Sequence, residues 1–266
     1  MNAVFLRRIG LAAPGLNGWV DSLPVLSGAE SYQPTDLASY KPQLLAANER
    51  RRTTVTVKIA LQVAEQVLFD ETDNKLPYSI ASIFASSEGD TEITDKICSA
   101  LSMPDRPVSP TQFHNSVHNA PAGYWAIATG SRAPSCSISA YDASFSAGLL
   151  EATTFVQVEQ QPVLLVAYDS QPPETLAGIC PTQLPFAVSF LLEPELADES
   201  THALQLHLQE SADIDVCSDS GLEALRIANP IARCLPLLQQ LASLSHGIIH
   251  LPYVQNKTVS IEVTPC

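Results

Sequence analysis

Long apolar runs are missing from this 266-residue chain. None reaches the roughly 18 residues that a membrane-spanning helix needs. A signal peptide is not expected either, because the brief apolar run of "MNAVFLRRIGLAAPG" precedes Arg7 and Arg8 instead of following them. Both observations predict a cytoplasmic protein. Basic residues are scarce, 14 against 28 acidic, for a formal net charge of −14. That balance argues against nucleic acid and anionic membranes as partners. It would also repel an acidic carrier protein unless a local basic patch compensates. Paired cysteines are absent too. Cys98, Cys136, Cys180, Cys217, Cys234 and Cys266 are scattered, with no CxxC. They read as reduced, partly buried thiols, and their spacing does not suit zinc. No short-period repeat and no low-complexity tail occurs.

What is present suits a folded domain: 45% of residues are apolar, and the length can bury a substantial core. "NAVFLRRIGLA" reads as a first strand, and residues 12–48 as loop with short helical pieces. "RRRTTVTVKIALQVAEQVLF" (51–69) reads as an amphipathic helix with a basic start, and "YSIASIFASS" (78–87) as a buried strand. A helix from Thr91 to about Leu101 and a Pro-rich loop come next. "NSVHNAPAGYWAIATG" (115–130) follows, a small-residue helix with Pro121 inside it. "PSCSIS" is a strand, "ASFSAGLLEATTFVQVE" a helix, and "QPVLLVAYDS" and "PFAVSFLLEP" are buried strands. The alternation predicts a largely parallel sheet flanked by helices. Beyond Pro194 the pattern loosens into one alternating strand, a broken helical stretch and two short strands. A boundary near 195 is therefore expected, with 196–266 too small to stand alone.

The stretch "SISAYDASFSAGLL" (137–150) is a strand-to-helix turn, the place where several α/β enzymes mount a nucleophile. Here it carries Tyr141 and Asp142. Asp142 reads as a helix N-cap, or alternatively as an electrostatic, decarboxylase-like group. Ser144 and Ser146 lack the flanking glycines of a nucleophile elbow, and Cys136 reads as a core thiol. His114 and His118, four apart, could share one helix face and bind a metal. With no third ligand nearby, a neutral pair near a subunit interface is the better account. Arg50, Arg51 and Arg52 form either a solvated helix start or a patch for an acidic partner or carrier phosphate.

"SPTQFHNSVHNAPAGYWAIATGSRAPSCSISAYDASFSAGLLEA" (109–152) resembles the central stretch of β-ketoacyl-ACP synthases, which have the thiolase fold. Asn119, Ala122 and Gly123 match that family's NxxAG helix, and Ala133, Pro134 and Ser135 match its GPS turn with Ala for Gly. Counting forward, the family's nucleophilic cysteine falls on Asp142. The flanks fit in order over roughly residues 1–195, and the chain resembles in particular the chain-length-factor type found with aryl polyene systems. A carboxylate cannot carry an acyl thioester. The family's histidine motifs are also incomplete: His202, His207 and His250 have no glycine neighbour, and His246 is followed by Gly247 but then by Ile248 where the motif has Thr.

The resemblance thus implies an α/β thiolase-like (ketosynthase) fold with its N-terminal half (1–195) largely complete. The C-terminal half (196–266) is reduced to a remnant packed on the same domain. It implies no cofactor and no catalytic residue. The implied role is a non-catalytic subunit that forms a heterodimer with a full-length β-ketoacyl-ACP synthase and shapes its acyl tunnel in polyene or fatty-acid-type elongation. An acyl carrier protein is a further possible partner. Ser135, Ser137 and Ser139 would lie at the partner interface, and Gln112, Phe113, His114, Val117 and His118 would face the tunnel. Two other readings stay open: a small acyl hydrolase or acyltransferase using Ser144 with a histidine such as His114, and an inactive homodimeric regulator.

Overall fold

The computed structural model describes residues 2–68 and 80–266. The expectations for positions 69, 78 and 79 lie outside the described residues. The elements run β1 (Val4–Ala13), β2 (Leu16–Asn17), α1 (Trp19–Leu26), α2 (Ala47–Arg50), α3 (Val55–Leu68), β3 (Ala81–Ala85), α4 (Thr91–Ser102), α5 (Pro110–Asn115) and α6 (Ala120–Thr129). They continue with β4 (Ser135–Ile138), α7 (Ser144–Glu159), β5 (Val163–Asp169), β6 (Phe186–Glu193) and β7 (His202–Gln209). The last are α8 (Ser220–Ala228), α9 (Leu235–Ala242), β8 (Gly247–Pro252) and β9 (Thr258–Pro265).

Among the described residues the strands form one sheet in the order β4-β3-β5-β6-β1-β7-β9-β8, with β2 hooked onto β1. Only β3 pairs in parallel, with β4 on one side and β5 on the other. The remaining pairings are antiparallel. The expected largely parallel sheet is therefore corrected to a mixed one. The physical reason is that β5 and β6 are buried along their whole length because helices cover both faces. Continuous apolar runs report that two-sided burial and say nothing of strand direction.

Two apolar clusters sandwich the sheet. Leu164, Val166 and Tyr168 of β5 point with Phe84 toward α3 and Trp125 of α6. Val163, Leu165 and Ala167 point the other way, toward Phe145, Leu149 and Val156 of α7. The second cluster also takes in Leu204 and Leu206 of β7, Leu237 and Leu238 of α9, and Val263 of β9. Residues beyond 195 thus share a core with Val4 and Leu6 of the first strand.

Two helix expectations are corrected. The helix expected from 51 to 69 starts at Val55, and Arg51 and Arg52 sit in the turn before it. It is buried nearly all round, Glu65 included. The Glu65 carboxylate accepts from the backbone N–H groups of Gln43 and Leu44 and from the Tyr40 hydroxyl, which stitches the 40–44 loop down. The helix expected from 115 to 130 is two pieces, α5 and α6, separated by the turn 116–119. Pro121 is not inside a helix. It lies in the first turn of α6, where its missing N–H costs nothing, and Gly130 closes that helix in the left-handed region at φ 67.

The crossing of α3 over β1 and β6 depends on Gly10. A Cβ there would fall 2.4 Å from the Val63 carbonyl oxygen and 2.5 Å from Ser189 Oγ. That serine donates to the same Val63 carbonyl at 2.6 Å. Gly10→Ala is expected to lower stability by about 1–3 kcal/mol through overpacking. Urea denaturation of the two proteins measures it, and an unchanged midpoint would refute the close approach.

Candidate functional site

The strand-to-helix turn is built from residues 139–146. Beyond β4, Tyr141–Ala143 forms a single 3-10 turn that runs directly into α7. Gly148 lets α7 lie close on the sheet, since a Cβ there would meet the Ala85 Cβ at 2.8 Å. Asp142 does not cap the helix, which corrects the N-cap expectation. The hydroxyl of Ser144 holds the turn instead, accepting from the Ala140 N–H (2.9 Å) and donating to the Tyr141 carbonyl (2.7 Å). Ser144 is fully buried and no histidine is among its hydrogen-bond partners, so the structure does not bring it together with His114 as a catalytic pair.

Asp142 Oδ1 is shielded from solvent with no hydrogen bond, 3.6 Å from the Arg233 guanidinium. Arg233 belongs to the 3-10 turn Ile231–Cys234, far along the chain, and nothing in the spacing of the sequence announces it. Tyr141, immediately before Asp142, has φ 52. For a bulky aromatic that left-handed geometry costs about 1–2 kcal/mol.

His202, His207, His246 and His250 lie on or next to β7 and β8, on the other side of the sheet from β4. His246 pairs with Glu262 at 3.1 Å and His250 with Asp215 at 3.4 Å. His114 and His118 are not on one helix face. His114 lies in the last turn of α5 and meets the Tyr124 ring edge-on at a centroid distance of 6.5 Å. His118 sits in the following turn, with Nε2 3.1 Å from the Ile138 carbonyl oxygen at the end of β4. The six cysteines are free thiols: Cys217 and Cys234 are buried, Cys136 and Cys180 half-buried, Cys98 and Cys266 exposed. Cys136, expected in the core, is only half-buried because β4 is the sheet's rim.

Among the described residues β4 pairs with β3 alone. The N–H groups of Ser82 and Ser86 donate to the carbonyls of Pro134 and Ile138. Strand alternation then turns the backbone groups of Ser135, Ser137 and Ser139 outward, away from β3. The other edge, β8, is blocked at its C-terminal half. The Asp215 N–H donates to the His250 carbonyl (3.1 Å), the His250 N–H donates to Asp215 Oδ2 (2.7 Å), and Pro252 ends the strand.

Beside the open edge, α5 and α6 border a groove of about 420 Å³ lined by Phe113, His114, Val117, Ala120, Gly123 and Ile127 among others. Phe113 is 68% exposed, and Val117 and Ile127 are more than half exposed. Gln112 is half-buried on α5 and does not line the groove. Ile127 was not foreseen; its signal is an apolar side chain on the open face of a helix whose other face is fully packed. Arg52 lines a separate depression of about 280 Å³ that His114 also borders, paired with Glu49 at 3.4 Å, and its carbonyl accepts from Asn115 Nδ2 at 2.8 Å. A wider groove of about 510 Å³ lies elsewhere, by Trp19 and Gln66. Its Arg7 is already paired with Glu193 and Glu199.

A buried clamp supports the end of β4. Asp169, at the end of β5, accepts from the Ser86 hydroxyl (2.7 Å) and from the N–H (3.0 Å) and hydroxyl (2.5 Å) of Ser87. The Ser87 carbonyl in turn accepts from Ser139 Oγ at 3.0 Å. Burial raises the Asp169 carboxyl to about 7 despite those hydrogen bonds, and Glu88 adds a smaller push upward.

The molecule is a mixed α/β protein whose sheet is covered on both faces, with a short open edge strand leading through a tight turn into a buried helix, in agreement with the thiolase-like fold that the resemblance implies. The chain belongs to the β-ketoacyl synthase N-terminal domain family, whose profile matches residues 27–242. No curated protein matches it by sequence.

Solved structures agree on the fold. A chain of the structure described as a ketosynthase (ApeO) in complex with its chain length factor (ApeC) from Xenorhabdus doucetiae aligns with a TM-score of 0.73 at 21% identity. That alignment covers 98% of this chain and 100% of that one. The ishigamide ketosynthase/chain length factor gives 0.71 at 11% identity, covering 100% and 99%. A β-ketoacyl synthase from Burkholderia phymatum STM815 gives 0.60 at 15% identity, covering 88% of this chain and 71% of that one. Among the described residues no helix is long and apolar enough to cross a membrane.

The Asp169 clamp predicts a pH dependence. Its folded-state value lies above the ordinary 3.8. The stability it contributes is therefore fully present below that value and is lost as pH rises toward and through about 7. Asp169→Asn keeps the neutral form's hydrogen bonds, because the Ser87 hydroxyl can turn to accept. The variant is expected to be more stable than wild type at pH 8 and to flatten the fall between pH 4 and 7. Urea melts across that range test this, and parallel profiles for the two proteins would refute it.

Proposed function

We propose that this chain is a non-catalytic, chain-length-factor-like subunit that pairs through β4 with a complete β-ketoacyl-ACP synthase. The observation that carries this reading is the contrast between the two edges of the sheet. One is blocked by Asp215 and Pro252, while the other leaves the backbone groups of Ser135, Ser137 and Ser139 open next to exposed Phe113, Val117 and Ile127. An open edge bordered by apolar side chains is a template for strand addition. Three of the similar structures are described as complexes or pairs of a ketosynthase with a chain length factor or an acyl carrier protein, which supports the same choice of partner.

Asp142 supports the absence of chemistry: a carboxylate, here 3.6 Å from the Arg233 guanidinium, cannot carry the acyl thioester. No histidine hydrogen-bonds Ser144, and that disfavours the hydrolase reading. The groove-lining Phe113, His114 and Val117 would face the partner's acyl tunnel and limit chain length by filling space. His118, tied to the end of β4, would fix where that segment stands. The subunit would act in aryl-polyene, polyketide or fatty-acid-type elongation, in the cytoplasm. The arginines at 50–52 supply the local positive charge that an acidic acyl carrier would need against the net charge of −14.

Ser137→Pro tests the pairing. Its N–H points away from β3, so proline leaves the β3–β4 ladder intact and removes a donor from the open edge. With the protein co-expressed beside each complete ketosynthase of its own genome, wild type is expected to co-purify with one of them. Ser137→Pro is expected to fold and remain alone. Co-purification of both would remove β4 from the interface.

The tunnel role has its own measurement. Phe113→Ala is expected to lengthen or broaden the carrier-bound products of the reconstituted pair, read by mass spectrometry. An unchanged product distribution with the heterodimer intact would leave a purely stabilising subunit.

A further inference from the structure

We infer that the turn at the family's nucleophile position has become a mount for Tyr141, an aromatic anchor that inserts into the paired ketosynthase. This deepens the pairing proposed above and depends on it.

Tyr141 combines three features, of which the tight turn accounts only for the first. Its backbone is in the left-handed region at φ 52, where glycine or asparagine would be at ease and tyrosine is not. Its side chain is 60% exposed. Its hydroxyl has no hydrogen-bond partner among the described residues. A strained backbone that presents an unused, solvent-facing aromatic argues that the side chain is what is needed there.

The surroundings hold that strain in place. On one side, Ser139 Oγ ties the end of β4 to the Ser87 carbonyl. Beneath, Ser144 Oγ receives the Ala140 N–H and donates to the carbonyl of Tyr141 itself. On the other side, Asp142 is drawn to Arg233. The interior is already filled by Ala143, Ser144 and Phe145, all buried, so the ring has nowhere to go but outward. Asp142 and Ser144 thereby become positioning residues for their neighbour.

The place suits a partner contact. Tyr141 follows the open strand by two residues, Ser139 and Ala140. An antiparallel strand added at β4 would therefore leave the ring just past that strand's end. Tyrosine is a favoured anchor in such a place, because it loses little side-chain freedom and offers a large apolar body with one polar tip. The fitting receptor is an apolar-walled pocket with a hydrogen-bond acceptor at its floor, on the ketosynthase beside its own edge strand.

The test uses full-length protein and the ketosynthase that co-purifies with wild type, with affinity measured by calorimetry and the subunit's own melting temperature measured alone. Tyr141→Gly suits φ 52 and is expected to melt at the same temperature or higher while binding at least tenfold more weakly. Tyr141→Phe, lacking only the hydroxyl, is expected to fall between glycine and wild type. Should Tyr141→Ala melt early, the glycine variant still separates folding from binding. Wild-type affinity in Tyr141→Gly would overturn the anchor and leave the strand pairing standing. Failure of wild type to bind any complete ketosynthase of its genome would overturn both.

Discussion

A sheet leaves a row of backbone donors and acceptors at each rim, and those groups must find partners or face water. Most of this molecule is organised around that constraint. The central strands β5 and β6 are walled in on both faces and have no freedom to pair elsewhere. At one rim the chain spends a loop, an aspartate and a proline to block half of the edge, through Asp215 and Pro252. At the other it spends nothing on closure and surrounds β4 with small serines and exposed apolar side chains. The asymmetry gives the molecule a direction in which to associate.

The turn after β4 is held tightly although it carries the exposed Tyr141 and the half-buried Asp142. A carboxylate such as Asp142 cannot form a thioester, and the turn's tight geometry is held by other groups. Ser144 bridges Ala140 and Tyr141, and Arg233 reaches across from the second half of the chain. The buried Asp169 fastens the neighbouring 86–87 turn and, through Ser87 and Ser139, the end of the edge strand. The rigidity that suits a nucleophile suits a protein contact equally well, since both need side chains fixed before the encounter.

Much of the architecture was legible in the residues. The apolar runs at 163–169 and 186–193 announce buried strands, and the small residues from Ser144 to Gly148 announce a helix in close contact with the sheet. Asn119, Ala122, Gly123, Pro134 and Ser135 carry the family likeness. Strand direction was not legible, as burial on two faces produces the same run either way. Nor was the division of 110–129 into two helices, where Pro121 reads as an interruption until its place in the first turn of α6 is seen.

The sequence by itself determined which segments are buried, where the strand-to-helix turn falls, and that the turn carries Tyr141 and Asp142. These are local properties, set by side-chain volume, polarity and the φ restrictions of single residues. Only the tertiary structure decided that Asp142 faces Arg233 and leaves capping to Ser144, that His114 and His118 part company, and that one edge of the sheet is half blocked while the other is open. Each of those depends on which distant segment comes to lie alongside. Long-range pairing of that kind is fixed by packing over the whole core, and no short window of residues contains it.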